Sequence, residues 1–195
     1  TRVSECDRVV EAVERNDVKF MMWNREMLPA LLHARQELSN GTIGLPRAIH
    51  VDFYFASDAG PLKETDGRRG AKINWLTALK AAHIDGSDGG VGKSPMGELQ
   101  VEGIYPLSHI RLISGAKVQR VFARATAHFH QRHVDNQVED LASVTLEMER
   151  GIVSTLCIGR IGQAKHSRGG EIKIRVLGTM GGLVIDEPRP QVRVF

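Results

Sequence analysis

The second half of the sequence, from residue 117 onward, is a succession of short β-type segments separated by turn residues. Polar and apolar side chains alternate along them, as at Val144, Leu146 and Met148, which indicates strands with one buried and one solvated face. Arg150-Gly151 lies between two of the segments and predicts a tight hairpin turn. The predicted strands cover residues 117–130, 140–149, 152–161, 171–179, 182–186 and 191–195. A mainly antiparallel sheet is therefore expected.

The first half supplies the helices for that sheet. An amphipathic helix is predicted to begin at Ser4 and to end near residues 16–17. A second helix is predicted over residues 26–38, and a strand follows at 47–57. Residues 58–97 are a long glycine-rich connection, of a kind that is usually functional or mobile. The fold class expected is α+β, an open-faced sheet with helices packed on one face.

The apolar run "VKFMMW" at residues 18–23 has the pattern of a strand buried on both faces. A helix that feeds such a strand is half of a parallel βαβ unit, and the sequence contains no partner for it. The interpretation is that residues 1–24 are a remnant of a nucleotide-binding (Rossmann) domain. Residues 25–195 then form a separate α+β domain.

Composition excludes several classes of function. The hydrophobic content of 42%, the charged content of 25% and the net charge of +3 are those of an ordinary soluble domain. Basic residues are scattered, so nucleic acid is not an expected partner, and no apolar run is long enough to cross a membrane. Cys6 and Cys157 are far apart in sequence, which suggests a reducing compartment, and a cytoplasmic location is expected.

The stretch "VEGIYPLSHIRLISG" at residues 101–115 has helical spacing of its apolar residues, although Gly103 and Pro106 both weaken a helix interior. Pro106 cannot donate to the carbonyl of Glu102, so a bend is expected there. Tyr105 and His109 stand four residues apart on one side. A phenol and an imidazole at this spacing could share a proton, or they could be packed residues with their polar tips satisfied.

Four pieces of the sequence, in this order, resemble the glucose–fructose oxidoreductase, inositol dehydrogenase and rhizopine-catabolism (Gfo/Idh/MocA) superfamily. Residues 5–44 look like its last nucleotide-domain helix and strand with the following Arg-x-x-x-Pro helix and Gly-x-Ile-Gly turn. "VEGIYPLSHIRLISG" resembles its catalytic helix, usually Asp-x-Gly-x-His or Asp-x-Gly-x-Tyr-Pro. "VEDLASVTLEMERGIVSTL" resembles its Glu-Asp strand pair, and "VLGTMGGLVID" its Gly-Thr-x-Gly strand.

The resemblance implies an oxidoreductase that moves a hydride between NAD or NADP and a sugar, cyclitol or similar polyol or carbonyl substrate. Tyr105 would take part in proton transfer, and His109 is the second catalytic candidate. The dinucleotide would be bound mainly by an N-terminal domain that this sequence lacks, together with the family's Glu-Lys-Pro. Two departures stand out: Val101 occupies the usual Asp position, and Glu102 lies one residue later, on another face of the helix.

An alternative function for the same fold is a non-catalytic binding or oligomerisation module. In either case the resemblance implies a homodimer or homotetramer that associates through the sheet. The far side of a one-layer sheet is expected to be partly apolar, which favours the same association.

Other candidate site residues follow from their positions. Asn24 and Arg25, at the end of the first predicted strand, could contact cofactor or substrate, and Arg25 could equally form an ion pair with a loop carboxylate. His128 and His130 are predicted on one face of a strand, where they would line the substrate pocket. No metal is expected at these histidines because the spacing is not diagnostic and no cysteine lies near.

Overall fold

The structure, a computed structural model, describes residues 3–21, 25–56, 97–135, 137–162, 170–187 and 191–195. Helix α1 spans Val3–Arg15 and none of its residues is buried. The predicted strand at 18–23 differs from the structure: residues 18–21 belong to no strand, and residues 22 and 23 lie outside the described part. No described strand is paired with residues 18–21, so no ladder of hydrogen bonds forms there.

The second helical region is a 3-10 turn at Arg25–Met27 followed by α2 at Pro29–Ser39. Pro29 begins α2, where its missing N–H has no intrahelical partner to lose. Gly41, just after the helix, has a φ of 73°, a left-handed conformation that glycine adopts without steric cost. The predicted helix is confirmed with a short irregular first turn.

The described residues form one seven-stranded sheet in the order β2-β3-β4-β1-β5-β6-β7. Only β1 and β4 are parallel neighbours, and the other pairs are antiparallel. The predicted α+β fold with a mainly antiparallel sheet is therefore confirmed. The strands are β1 Pro46–Ala56, β2 Val118–Thr126, β3 Leu141–Met148, β4 Val153–Gly162, β5 Gly170–Gly178, β6 Gly182–Asp186 and β7 Gln191–Val194.

One face of the sheet carries the hydrophobic core. Val51 lies beside Leu156 on β4 and Ile174 on β5, and all three are buried beneath α2 and the helix that follows Gly103. The opposite, outer face is largely polar, with the ion pair of Arg175 and Asp52 as one example. Alternation along each strand therefore places the apolar set toward the helices.

The helix predicted at 101–115 is two helices. Helix α3 spans Glu98–Glu102 and α4 spans Ile104–Ser114, and the chain turns between them at Gly103. A Cβ at Gly103 would overlap the backbone oxygen of Leu99, so the turn requires glycine. Pro106 does not make the bend: it lies in the first turn of α4, where a missing N–H is tolerated.

The predicted strand at 117–130 is shorter than expected. Strand β2 ends at Thr126, and a loop then leads to α5 at Gln131–Asp135. Asp140 is the cause, because its carboxylate accepts the backbone N–H groups of residues 128–130 and holds them out of the ladder. His128 and His130 therefore lie in a loop and do not share one face of a strand, which corrects that prediction.

The hairpin predicted at Arg150-Gly151 is confirmed. Both residues are left-handed, with φ of 63° and 67°, which matches the backbone of a type I′ turn. Arg150 also donates to the carbonyl of Ser114, the last residue of α4. The turn therefore ties the β3–β4 hairpin to the end of that helix.

Candidate functional site

The candidate site lies at one edge of the sheet, where β1, β4 and β6 end. β1 and β4 are parallel, and β6 runs in the same direction because it is separated from β1 by two antiparallel pairings. Phe53 and Phe55 near the end of β1, Arg160 near the end of β4 and Glu187 just after β6 meet there. The strand order thus brings residues that are far apart in sequence together at this edge of the sheet.

Tyr105 enters this edge from the first turn of α4. Its ring stacks on Phe53 with the centroids 6.4 Å apart and the planes at 21°. The guanidinium of Arg25 lies over both rings, 6.0 Å from the centroid of Phe53 and 5.7 Å from that of Tyr105. These distances are those of cation–π contacts, so Arg25 brings a positive charge close to the phenol.

Arg25 is anchored by Glu187. Its Nε donates to Glu187 Oε1 at 2.6 Å, and its Nη2 pairs with the same oxygen. Burial lowers the pKa of Arg25, while the charges of Glu102 and Tyr105 act in the opposite direction. The ion pair with a loop carboxylate, one of the two alternatives for Arg25, is present. Nη1 has no hydrogen-bond partner among the described residues.

Glu102, unlike Glu98 and Glu187, forms no ion pair with a described residue. Burial raises its pKa, the nearby Glu98 raises it further, and Arg160 and Arg25 oppose the rise. Glu102 is half-buried and ends α3 just before the turn at Gly103. A carboxyl with a raised pKa beside a cleft edge is a candidate for proton exchange.

His109 lies one turn beyond Tyr105 in α4 and is completely buried. Neither ring nitrogen has a hydrogen-bond partner in the described structure, so it does not bond to the Tyr105 hydroxyl. Burial, with a smaller contribution from the charge of Arg25, lowers the pKa of His109 to about 4. The imidazole is therefore neutral at physiological pH and lies behind the site rather than on its surface.

A buried ion pair forms the far end of the same edge. Arg160, which is 1% exposed, donates from Nε to Glu98 Oε1 at 2.6 Å and from Nη2 to Oε2 at 3.1 Å. His133 Nε2 lies 3.6 Å from Glu98 Oε1, within ion-pair range but beyond a hydrogen bond. Burial raises the pKa of Glu98, but His133 and Arg160 outweigh it and hold the pKa below its ordinary value.

The loop after β2 borders this ion pair. His130 forms a hydrogen bond from Nε2 to the carbonyl of Arg160 at 2.6 Å, so that ring nitrogen carries a proton. His128 is exposed and meets Phe129 edge-on, with centroids 6.5 Å apart. Of the two predicted substrate-contacting histidines, His128 has its ring open to solvent and His130 is engaged by the backbone. Asn24, the predicted cofactor contact, lies outside the described residues.

The described side chains do not form a metal site or a dinucleotide site by themselves. Within the described ranges, no three His, Cys, Asp or Glu side chains are grouped to hold a metal ion. No described strand leads into a glycine-rich turn and a helix, the element that holds the pyrophosphate of a dinucleotide. The described residues therefore do not fit a dinucleotide by themselves. None of the described helices has the length and apolar character needed to cross a membrane.

Sequence reasoning missed Arg160, Glu98 and Glu187. Alternation along β4 gives the signal for Arg160, because Leu156 and Ile158 point inward and residue 160 must follow them. An arginine at a position that the pattern buries calls for a carboxylate partner. Its partner Glu98 is 62 residues away in sequence, so the pair itself could not be inferred.

The fold and the site together define a class of protein: an α+β domain with an open sheet and titratable groups at one edge. Residues 95–184 match the GFO/IDH/MocA C-terminal domain family, which confirms the resemblance carried by the sequence. No curated protein matches the sequence significantly.

The solved structures that share this fold include dehydrogenases and oxidoreductases. A probable dehydrogenase from Thermotoga maritima superposes with a TM-score of 0.70 at 20% identity, over 95% of this chain and 46% of that one. An oxidoreductase from Sinorhizobium meliloti superposes with a TM-score of 0.67 at 18% identity, over 100% of this chain and 45% of that one. Scyllo-inositol dehydrogenase from Lactobacillus casei, with bound NAD(H) and scyllo-inositol, superposes with a TM-score of 0.66 at 15% identity. The superposition covers 94% of this chain and 47% of that one. The chain thus spans about half the length of these proteins.

Proposed function

We propose that this chain is the substrate-facing part of an NAD(P)-dependent oxidoreductase that interconverts an alcohol and a carbonyl on a sugar, cyclitol or similar polyol. The observation that carries the proposal is the position of Tyr105, whose phenol stands at the open edge of the sheet beside the Arg25 guanidinium. The match of residues 95–184 to the GFO/IDH/MocA C-terminal domain supports it. Hydride chemistry belongs to the nicotinamide nucleotide, and the proposal assigns only the substrate side to the described residues.

Tyr105 is the group that exchanges the substrate proton. In the reducing direction its O–H donates to the carbonyl oxygen, and in the oxidising direction it takes the proton back from the hydroxyl. Arg25 supplies a fixed positive charge near the position where negative charge develops. Its Nη1 can donate to a substrate hydroxyl while Nε and Nη2 remain on Glu187.

His109 has a supporting part in this proposal. The ring is buried and neutral, and substrate cannot reach it without displacement of α4. It can still influence Tyr105, which lies one helical turn away. His128, at the exposed end of the loop, is proposed to contact substrate.

Substitution of Tyr105 by Phe tests the assignment, because it removes the hydroxyl and keeps the ring on Phe53. We expect kcat for polyol oxidation to fall on the order of 10²- to 10⁴-fold with KM little changed, since the proton moves in the transition state. Reduction of NAD(P)⁺ is followed by absorbance, with a panel of sugars and cyclitols, in the protein that joins this chain to the nucleotide-binding domain that the proposal implies.

Tyr54 is the matched control for Tyr105. It lies on the outer face of the sheet, where its hydroxyl donates to Asp52 Oδ1 at 3.2 Å. Tyr54→Phe should therefore leave kcat unchanged, and His109→Asn should cost far less than Tyr105→Phe. Near-full turnover by a folded Tyr105→Phe protein would refute the assignment and leave Glu102 as the next candidate.

A non-catalytic binding or oligomerisation module is the second candidate. Its support is Val101, which places an apolar side chain where the resemblance calls for an acid. Absence of turnover with every polyol and both nucleotides, in a protein that includes the nucleotide-binding domain and still binds NAD(P), would favour this candidate over the enzyme.

A further inference from the structure

The buried pair of Arg160 and Glu98 is not explained by the proposed chemistry. Both side chains are almost completely enclosed, so neither can reach a substrate. Their contact is bidentate, with Arg160 Nε and Nη2 on the two oxygens of Glu98. A bidentate contact between a planar guanidinium and a carboxylate fixes orientation as well as distance. A buried pair of this kind often adds little net stability. Its role is therefore sought in the element whose orientation it fixes.

What the pair orients is α3. Glu98 is the first residue of this five-residue helix. The same helix start is held from a third side by Glu139, whose backbone oxygen accepts the N–H of Glu98 at 3.2 Å and whose Oε1 accepts that of Leu99 at 3.1 Å. A helix this short has little stability of its own. Its direction therefore depends on these polar anchors.

The direction of α3 determines where Tyr105 points. Only Gly103 separates α3 from the residues of α4 that carry the phenol. Gly103 bonds back to Leu99 through its N–H at 3.0 Å and accepts from Leu107 at 3.1 Å, so both helices are joined through it. A rotation of α3 about Glu98 would therefore be transmitted to the first turn of α4.

A second connection runs through aromatic rings. The Arg160 guanidinium lies 5.4 Å from the ring centroid of Phe55. Phe55 meets Phe53 edge-on at 5.2 Å, and Phe53 stacks with Tyr105 at 6.4 Å. Arg160 thus contacts the surroundings of Tyr105 both through the backbone and through packed side chains.

We propose that Arg160 and Glu98 are positioning residues, which set the α3–Gly103–α4 corner and with it the place of the Tyr105 hydroxyl beside Arg25. Neither residue contacts substrate. The kinetic consequence rests on the proposed function, but the placement of Tyr105 does not, and the two can be measured separately.

The chain contains two tyrosines, which makes the placement of Tyr105 directly observable. Fluorotyrosine labelling of this chain gives two 19F resonances, which Tyr54→Phe and Tyr105→Phe assign. Tyr54 lies on the outer face and serves as the internal reference. In Arg160→Met we expect the Tyr105 resonance to be displaced or broadened and the Tyr54 resonance to stay in place.

Matched variants separate positioning from general loss of structure. Arg120→Met removes an arginine from the exposed pair with Glu147 and should move neither resonance. Arg160→Lys keeps the charge but not the bidentate geometry, so it should restore the Tyr105 resonance only in part. Should Arg160→Met fail to fold, Glu98→Gln carries the test, because it keeps the size of the side chain and removes its charge.

The outcomes decide the proposal. A Tyr105 resonance at its wild-type position in a folded Arg160→Met or Glu98→Gln protein overturns it, as does an equal displacement of both resonances. In the active enzyme we expect Arg160→Met to lower kcat on the order of 100-fold with KM nearly constant, the cost of a small misplacement. If Tyr105→Phe leaves kcat unchanged while Arg160→Met still displaces the Tyr105 resonance, the proposed function fails and the positioning stands.

Discussion

At the scale of single residues, His109 links packing to pH. A fully buried imidazole without a hydrogen-bond partner in the described structure resists protonation, and its pKa falls to about 4 from an ordinary 6.5. The unfolded chain then binds more protons than the folded chain between these two pH values. The free energy of unfolding must therefore fall as the pH drops from 6.5 toward 4, and the loss is complete below 4.

His109→Leu should remove this dependence. We expect the loss of stability of wild type between pH 7 and the acid limit to exceed that of the variant by on the order of 3 kcal/mol. Urea unfolding at pH 7 and pH 5 measures most of the difference. The lowered pKa values of Glu98 and Asp140 act at more acidic pH, so they do not enter this window. Identical pH slopes in the two proteins would contradict the burial argument.

The candidate site residues rest on different signals in the sequence. Tyr105 is proposed because its stretch resembles a catalytic helix and places a phenol four residues from His109, and Arg25 because it follows an apolar run. The ion-pair partner of Arg25, Glu187, is 162 residues away and follows β6. Contacts between residues so far apart in sequence depend on the order of the strands in the sheet, which the local sequence pattern does not determine.

At the scale of secondary-structure elements, the turn at Gly103 has a consequence for stability. Its φ of −61° is accessible to alanine, and helix propensity alone would favour Gly103→Ala by up to about 1 kcal/mol. The added Cβ would overlap the Leu99 carbonyl oxygen, which is backbone and cannot rotate away. We therefore expect destabilisation of about 1–3 kcal/mol, measured by urea unfolding.

Gly41→Ala is the contrasting variant. Gly41 has a φ of 73° and open space around it, so alanine there costs backbone strain alone. Only Gly103→Ala should displace the 19F resonance of Tyr105, because Gly41 lies after α2 and not at the corner. A stabilised Gly103→Ala protein would mean that the α3–α4 corner relaxes without cost.

The bounds of a strand could be predicted where two sequence signals agreed. The prediction was wrong where a contact with a residue distant in sequence determined the end of the strand. Strand β6 matches its predicted bounds because alternation and flanking glycine turns both define it. Strand β2 ends four residues early because Asp140, which immediately precedes β3, accepts the N–H groups of residues 129 and 130. The partners of Asp140 could not be named from local sequence because they lie 10 to 12 residues away in a loop.

At the scale of the whole molecule, the outer face of the sheet remains uncovered in the described structure. Most of it is polar, yet Val153 and Leu177 are each 43% exposed and flank Ala48 on three adjacent strands. Charged side chains surround this apolar row, as in the pair of Arg175 and Asp52. An apolar centre with a polar rim is the usual composition of an interface between proteins.

Self-association through this face is the last prediction. Two copies would place their apolar rows against each other about a two-fold axis, the commonest arrangement of soluble dimers. Sedimentation at rising concentration should detect a dimer or tetramer, and Val153→Lys should shift it to monomer by placing a charge at the centre of the contact. Val10→Lys, on the exposed α1, is the matched control and should leave assembly intact. Monomer at high micromolar concentration in wild type, or an effect of Val10→Lys equal to that of Val153→Lys, would exclude the outer face as the interface.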